Sequence, residues 1–281
     1  MRGLGLPRKL LVKLVGSVVC AFSVTVAITW TVQSSLADRD AMKVINRALD
    51  DVQGEIEECV NRKLVLAAMK ARDRLSEVSD RSSETLRAIA DEMRVDDVCV
   101  VDVNGILVAS ADPAEVGFDF SKADGQAKEF LVLLDSESEF CQPLHARSQD
   151  GAPWKYVGVW LPKGGFVQVG CRASTLRVFA QSSVAGLTHN RHVSGAGTIV
   201  ITTEHGLIIS DAKGSGLEGS FLQVPGDEAY VVKRSIEGFD VYAILPKAAA
   251  AVERNTLIGS SAVMTILALG FVAILVGIVI S

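Results

Sequence analysis

The four histidines are the first residues that could bind a metal or catalyse a reaction in this chain of 281 residues. His189 and His192 lie three residues apart and could form a surface metal site, but a polar helix terminus beside Arg191 explains them more simply. The sequence has no H-E-x-x-H zinc motif, G-x-S-x-G nucleophile elbow or phosphate-binding P-loop. We therefore expect no enzymatic activity, no metal centre and no cofactor.

A set of aromatic and polar residues between positions 119 and 160 is better suited to binding a small molecule. Ligand sites combine aromatic walls with a few polar anchors. The candidate binding residues are Asp119, Phe140, Arg147, Trp154, Tyr156 and Trp160. In a strand, alternation would place Trp154, Tyr156 and Trp160 on one face. That face would line a cavity or pack against a helix as core, and the pattern does not decide between these alternatives.

Strands are needed to position these residues. Asn104 and Gly105 lie between two apolar runs and tolerate a positive φ, so residues 98–110 predict a β-hairpin. A short helix is expected over residues 127–134. Three further strands are predicted at residues 139–148, 154–161 and 165–172. This order favours one antiparallel sheet with a helix packed on it.

A second, shorter copy of this pattern follows. Strands are predicted at residues 197–203, 207–210, 229–236 and 239–245, with Gly206 and Gly238 in the turns. Residues 173–191 are expected to form a connecting helix between the copies. A repeat at a spacing of about 100 residues indicates two tandem units of one fold. The second unit has fewer aromatic residues and less room for a cavity.

A long helix is predicted for residues 37–94, which contain no proline and one glycine, Gly54. Serines around Asp80 would mark a bend or break. Apolar residues recur at helical spacing, at Val44, Ile45, Leu49, Val52, Ile56, Val60 and Leu64. We expect this helix to pack along the sheets, with a plain coiled-coil stalk as the alternative. Its apolar seam would also pair two copies of the chain into a homodimer.

Two apolar stretches explain the mean hydropathy of +0.32. Lys13 is the one charged residue between positions 10 and 32, and residues 257–280 carry none. Each stretch reaches the ~20 residues that a helix needs to cross a bilayer. We expect transmembrane helices at 10–36 and 257–281. A signal peptide cleaved near Ala37 is the alternative for the first, although its apolar run is long for one.

The charge distribution predicts the orientation of these spans. Arg2, Arg8, Lys9 and Lys13 gather at the N-terminal flank, which the positive-inside bias places in the cytoplasm. Both termini would then be cytoplasmic, and residues 37–256 would lie outside the cell. The formal net charge is −5 despite that basic flank, so the outer segment is acidic. An acidic exterior argues against nucleic acid or anionic lipid as a partner.

Five cysteines are present, with Cys20 in the first predicted span and the others outside it. An oxidising compartment permits disulfides without requiring them. Cys59 is expected to stay unpaired, because it lies on the long helix. Cys99 and Cys171 could form a bridge if the first and last strands of the first unit pair side by side, and Cys141 is left open.

The sequence resembles the double Cache sensors, whose extracytoplasmic regions are similar to PAS domains. Residues 101–110 (VDVNGILVAS), followed by Asp112-Pro113 and by residues 116–120 (VGFDF), resemble that family's D-x-x-G-x-I-x-x-S … G-x-D opening. Residues 236–246 resemble the closing hairpin that leads into a second span. The resemblance covers about residues 37–256.

This resemblance implies an α+β fold, in which a long N-terminal helix and two tandem PAS-like antiparallel-sheet units are flanked by two transmembrane helices. The implied segments are a basic cytoplasmic flank (1–9), a span (10–36), the long helix (37–94), a membrane-distal unit with its connecting helix (95–191), a membrane-proximal unit (192–256) and a span (257–281). A small ligand would bind the distal unit. Its signal would pass through the second span to a cytoplasmic output.

The sequence also departs from the family. It ends at Ser281, where such receptors continue into a kinase, cyclase, phosphatase or chemotaxis module. We expect either a truncated receptor or an output module on a partner chain. The R-x-W-Y signature of amino-acid binding is absent, because Ala152 and Pro153 precede Trp154. The alternative function is a structural or assembly protein whose PAS-like units bind another protein outside the cell.

Overall fold

Two helices open the fold of the computed structural model, which describes residues 8–123, 125–147, 150–211 and 215–251 and single residues at 259, 263, 266 and 270. Helix α1 spans Arg8–Glu77, and α2 spans Ser83–Met93. The side chain of Ser82 accepts a hydrogen bond from the backbone N–H of Thr85 and so caps α2. The predicted long helix is confirmed, with the break near Asp80.

The first sheet is antiparallel and has six strands. They are β1 (Asp97–Val101), β2 (Leu107–Ser110), β3 (Glu139–Cys141), β4 (His145–Ala146), β5 (Pro153–Trp160) and β6 (Phe166–Arg172). The order is β2-β1-β6-β5-β3, and β4 also pairs with β5. The predicted hairpin is confirmed as β1 and β2, with Gly105 at φ 75°.

Two predicted elements of this unit differ in the structure. The strand expected over residues 139–148 is divided into β3 and β4, with Pro143 between them. Proline has no N–H to donate to a neighbouring strand, so it interrupts the pairing. The short helix expected over residues 127–134 is a 3₁₀ helix, Gly125–Leu134.

The second sheet has five antiparallel strands, and α3 (Ala173–Val184) leads to it. They are β7 (His192–Val193), β8 (Gly197–Thr202), β9 (Ile208–Ser210), β10 (Ala229–Ile236) and β11 (Phe239–Pro246). The order is β10-β11-β8-β7, and β9 also pairs with β8. The four predicted strands are confirmed. Helix α3 is shorter than expected, because Gly186 adopts φ 76° just beyond it.

One stripe of α1 forms the core shared by both sheets. Ile45, Leu49, Val52 and Ile56 are fully buried in a cluster that includes side chains from α2, α3 and both sheets. The prediction that the helix packs along the sheets is confirmed, and a plain stalk is wrong. The seam is covered within the chain and is therefore not free to pair two copies.

The two faces of the first sheet have different neighbours. Val157 and Val159 of β5 belong to the α1 cluster. Tyr156, the residue before Val157, points to the opposite face and belongs to a separate cluster with Phe130 and Phe166, under the 3₁₀ helix. The alternative that the aromatic face packs against the long helix is therefore wrong for Tyr156, which faces away from α1.

A buried ion pair joins the two sheets. The Lys155 Nζ lies 2.6 Å from the Glu237 Oε1, and the side chains are 2% and 6% exposed. Lys155 lies on the α1-facing side of β5, and Glu237 lies in the turn between β10 and β11. Burial raises the pKa of Glu237, and the charge of Lys155 partly opposes that rise. Removing the lysine would leave a buried carboxylate without its counter-charge.

The cysteines are free thiols. Strands β1 and β6 do pair, but Cys99 lies opposite Gln168, three residues before Cys171. Because side chains alternate along a strand, an odd offset puts the two thiols on opposite faces of the sheet. The possible Cys99–Cys171 bridge is not formed for this reason, and Cys59 is a free thiol, as predicted.

The predicted membrane spans are only partly covered by the structure. Across the described residues, no helix is both long enough and apolar enough to cross a bilayer. The first predicted span, 10–36, falls within α1. The second predicted span, 257–281, lies outside the described residues apart from four single positions. Residues 1–7 of the basic flank also lie outside the described residues.

We expect Lys155→Ala to destabilise the folded chain by about 3–5 kcal/mol, because it leaves Glu237 buried and uncompensated. Urea denaturation measures this loss. Lys43→Ala is the matched control, since that side chain is 76% exposed on α1, and it should cost less than about 0.5 kcal/mol. The double substitution Lys155→Met with Glu237→Gln should recover most of the lost stability. A Lys155→Ala variant as stable as the control would contradict this account.

Candidate functional site

A cavity of about 400 Å³ lies on the face of the first sheet that points away from α1. Its apolar wall consists of Leu107, Val116, Phe118, Phe120 and Phe130, with Ala114 and Ala127. Its polar groups are Asp112, Glu115, Gln142, His145, Arg147, Tyr156 and Gln168. An apolar wall with a few convergent polar groups is typical of a small-molecule site.

Glu115 and Arg147 form the charged centre of this cavity. Arg147 Nη1 lies 3.0 Å from Glu115 Oε1, and their side chains are 15% and 14% exposed. The other arm of the guanidinium binds Asp150 at 2.8 Å. The pKa of Glu115 is raised to about 7, chiefly by burial and also by the nearby Asp97, while Arg147 opposes the rise. Glu115 therefore changes charge near neutral pH.

A buried polar cluster lies behind Glu115. The Cys99 thiol donates to Asp97 at 2.7 Å, and the Ser110 hydroxyl donates to the same carboxylate at 3.2 Å. Burial raises the pKa of the Cys99 thiol well above its ordinary value, and Asp97 adds to the effect. A thiol in this state is protonated and is a poor nucleophile at neutral pH.

Among the described residues, this region contains the one group of three acidic, cysteine or histidine side chains that could hold a metal ion. Ligand atoms of Asp97, Cys99 and Glu115 lie within 4.8 Å of one another. His189 and His192, which the sequence favours as a polar helix terminus over a metal site, are not part of this group. His189 Nε2 contacts Glu218 at 2.7 Å instead, and His192 lies on β7.

Two of the six predicted binding residues line the cavity, namely Arg147 and Tyr156. Trp154 lies behind them, with its ring stacked on Tyr156 at 5.6 Å between centroids. The Arg147 guanidinium lies 4.4 Å from the centre of the Trp154 ring. Trp154 thus holds both cavity residues in place from one side.

The other three predicted residues have different neighbours. Phe140 packs edge-on against Phe130, 4.9 Å between ring centres. Trp160 lies at the end of β5, with Arg72 of α1 5.6 Å from its ring centre. Asp119 accepts hydrogen bonds from Ser121, which lower the pKa of its carboxyl to about 2. It also binds Lys122 at 2.9 Å, and so stabilises a turn.

Sequence reasoning missed Glu115, Asp97 and Gln168. Asp97 and Gln168 are buried polar residues in strands that are otherwise apolar. Buried polar side chains are uncommon enough to mark a site, and that signal was present in the sequence. Glu115 carried no such signal. It lies in a short 3₁₀ turn, Pro113–Glu115, and reaches the cavity through the fold of that loop.

No protein-family model matches the sequence, and no curated protein matches it significantly. Solved structures do match. The ligand-binding domain of a Pseudomonas aeruginosa amino acid chemoreceptor in complex with GABA is 13% identical, with 69% of this chain and 94% of that chain covered and a TM-score of 0.35. The ligand-binding domain of the Campylobacter jejuni chemoreceptor Tlp3 with L-valine is 10% identical, with 78% and 97% covered and a TM-score of 0.38.

A histidine kinase sensor domain gives a similar match. The DctB sensor domain of V. cholerae is 13% identical, with 76% of this chain and 98% of that chain covered and a TM-score of 0.32. These structures are ligand-binding or sensor domains of two chemoreceptors and a histidine kinase.

We expect Glu115→Gln to stabilise the chain relative to wild type as pH rises from 5 to 8. The folded-state pKa of Glu115, about 7, lies above its ordinary value of 4.5. Wild type therefore loses stability between these two values, where the unfolded chain releases this proton and the folded chain keeps it, and the loss levels off above pH 7; the neutral glutamine does not lose this stability. Melting temperatures of both proteins across this range measure the effect. A difference in melting temperature that stays constant with pH would contradict the assignment of a buried, titrating Glu115.

Proposed function

We propose that this chain is a membrane-anchored extracytoplasmic sensor of the double Cache type, and that its small-molecule ligand occupies the cavity of the first sheet. The observation that carries the proposal is the cavity itself. It combines a wall of phenylalanines with a half-buried Glu115–Arg147 pair, and its volume of about 400 Å³ lies in the range of small-ligand sites.

Binding suits the cavity's groups better than catalysis does. Cys99 lies behind Glu115. Its thiol donates a hydrogen bond to Asp97 and is protonated. His145 lines the cavity, and its Nδ1 lies 3.2 Å from the carbonyl of Pro143. Neither residue is arranged as an activated nucleophile with its base. We therefore propose that the chain acts without an enzymatic reaction.

Strand β5 offers a route from the cavity to the second sheet. Tyr156 lines the cavity on one face of β5, and its neighbour Lys155 binds Glu237 on the other. A ligand that shifts β5 would therefore shift the turn between β10 and β11. Packed strands and helices move as rigid units, so a shift of β5 would displace this turn and would not be taken up by small local adjustments.

The second sheet contacts α1 near the middle of the helix. Arg234 of β10 donates to Asp50 and Asn46, and the Tyr230 hydroxyl donates to Asp38. The proposed signal thus reaches the part of α1 that leads to the first predicted span, and β11 leads towards the second. The proposed output is a cytoplasmic kinase, cyclase, phosphatase or chemotaxis module. A homodimer through α1 would use apolar side chains outside the buried stripe, such as Val44 and Leu66, which are exposed on one side of the helix.

A bulky residue at the cavity mouth tests the proposal. Ala114 is exposed and lines the cavity, so Ala114→Trp should block ligand entry while leaving the core intact. A metabolite library is screened against the purified full chain by thermal melting. A ligand should raise the melting temperature of wild type with concentration, as mass action requires, and should not do so for Ala114→Trp.

Val178→Trp is the matched control for this experiment, because Val178 is 76% exposed on α3. It should melt and respond as wild type does. If no compound shifts the wild-type chain, or if shifts persist in Ala114→Trp, the cavity is not a ligand site. A protein-binding role outside the cell would then be favoured.

A further inference from the structure

The charged groups around the cavity are mostly acidic. Glu115 and Asp112 line it, and Asp97 lies directly behind Glu115 in the polar cluster. Arg147 is the cavity's arginine, and no lysine lines it among the described residues. The site therefore holds more negative than positive charge before any ligand enters.

The one guanidinium is already occupied. Arg147 donates to Glu115 at 3.0 Å through Nη1 and to Asp150 at 2.8 Å through Nη2, and its Nε lies 3.3 Å from Asp150. Its flat face covers Trp154. An anionic ligand would have to displace a carboxylate from this guanidinium. Lys122, on the nearby loop, is likewise held by Asp119.

We propose that the ligand of this cavity carries a protonated primary amine and no carboxylate, and that Glu115 binds the ammonium group. This inference rests on the proposed sensor function and names the chemical class of its ligand. The ammonium would supply the positive charge that the cluster lacks. Its N–H groups would donate charge-assisted hydrogen bonds to the carboxylate.

The apolar wall supports the same class of ligand. Phe118, Phe120 and Phe130 surround the space next to Glu115, with Phe118 and Phe120 5.0 Å apart in an edge-on arrangement. Aromatic faces attract a desolvated cation, and they also take up an apolar body. A primary amine on a short hydrocarbon or aromatic body thus matches both parts of the cavity.

Four compounds that share a phenyl-alkyl body but differ in their charged group test which group the cavity binds. They are phenethylamine, its N,N,N-trimethyl derivative, phenylalanine and 3-phenylpropionate, measured against the full chain by calorimetry with EDTA present. Phenethylamine should bind most tightly, the trimethyl cation more weakly because it lacks N–H donors, phenylalanine more weakly still, and 3-phenylpropionate not at all. Glu115→Gln should weaken phenethylamine binding by at least about tenfold.

Glu129→Gln is the matched control, because this glutamate is exposed on the 3₁₀ helix above the cavity, and it should leave binding unchanged. If phenylalanine or 3-phenylpropionate binds better than the amine, and Ala114→Trp abolishes that binding, the amine proposal is overturned while the sensor function stands. If neither cation binds, the amine proposal is overturned as well. The metabolite screen then decides the sensor function separately.

Discussion

The apolar stripe of α1 is the constraint on which both sheets depend. Residues from Ile45 to Leu64 along this stripe are fully buried against strands of both units. Each sheet places one apolar face on the helix, and burial of such a face is the main source of folding free energy. The two units therefore share one core and are not independent domains. The Lys155–Glu237 pair lies in the same interior and fixes how the units meet.

The α1 stripe also determines where a ligand site can form. Since one face of the first sheet is covered by the helix, only the opposite face is available for a cavity. Two glycines allow large side chains to pack closely on that face. A Cβ on Gly158 would lie 2.6 Å from Leu133, and one on Gly170 would lie 2.6 Å from the Tyr156 ring. The strands contribute Leu107, Tyr156 and Gln168 to the cavity, and the overlying loop and 3₁₀ helix contribute its phenylalanines. Burying the carboxylates of Glu115 and Asp97 at this site lowers the stability of the fold, but it also provides polar groups that a ligand can bind.

Local patterns allowed much of the fold to be predicted from the sequence. Asn104 and Gly105 specified a hairpin because their backbone conformation is local, and the spacing of apolar residues specified α1. Alternation along β5 correctly put Tyr156 opposite Lys155. The partner of Lys155 could not be predicted, because Glu237 is 82 residues away and they meet only in the folded chain. The sequence left open whether Cys99 and Cys171 pair for a related reason, since the answer required the register of β1 and β6.

The candidate site was predictable only in part. Arg147 and Tyr156 were identified from residue type, but Asp119 serves a turn and Trp160 contacts α1. Glu115 was missed because a loop carries it to the cavity. Loops depend on tertiary contacts more than on local sequence, so residues that reach a site from loops are the hardest to identify.

The central claim is that a ligand in the first sheet acts on the second through β5. Hydrogen exchange of the full chain, measured with and without saturating phenethylamine, tests it directly. The account predicts slower exchange in the cavity loop at residues 113–120 and, at a distance from it, changed exchange in the turn at residues 235–240. Replacing both members of the Lys155–Glu237 pair with Met and Gln should keep the first change and remove the second. Changes confined to the second sheet, or a distant change that survives the double substitution, would contradict the account.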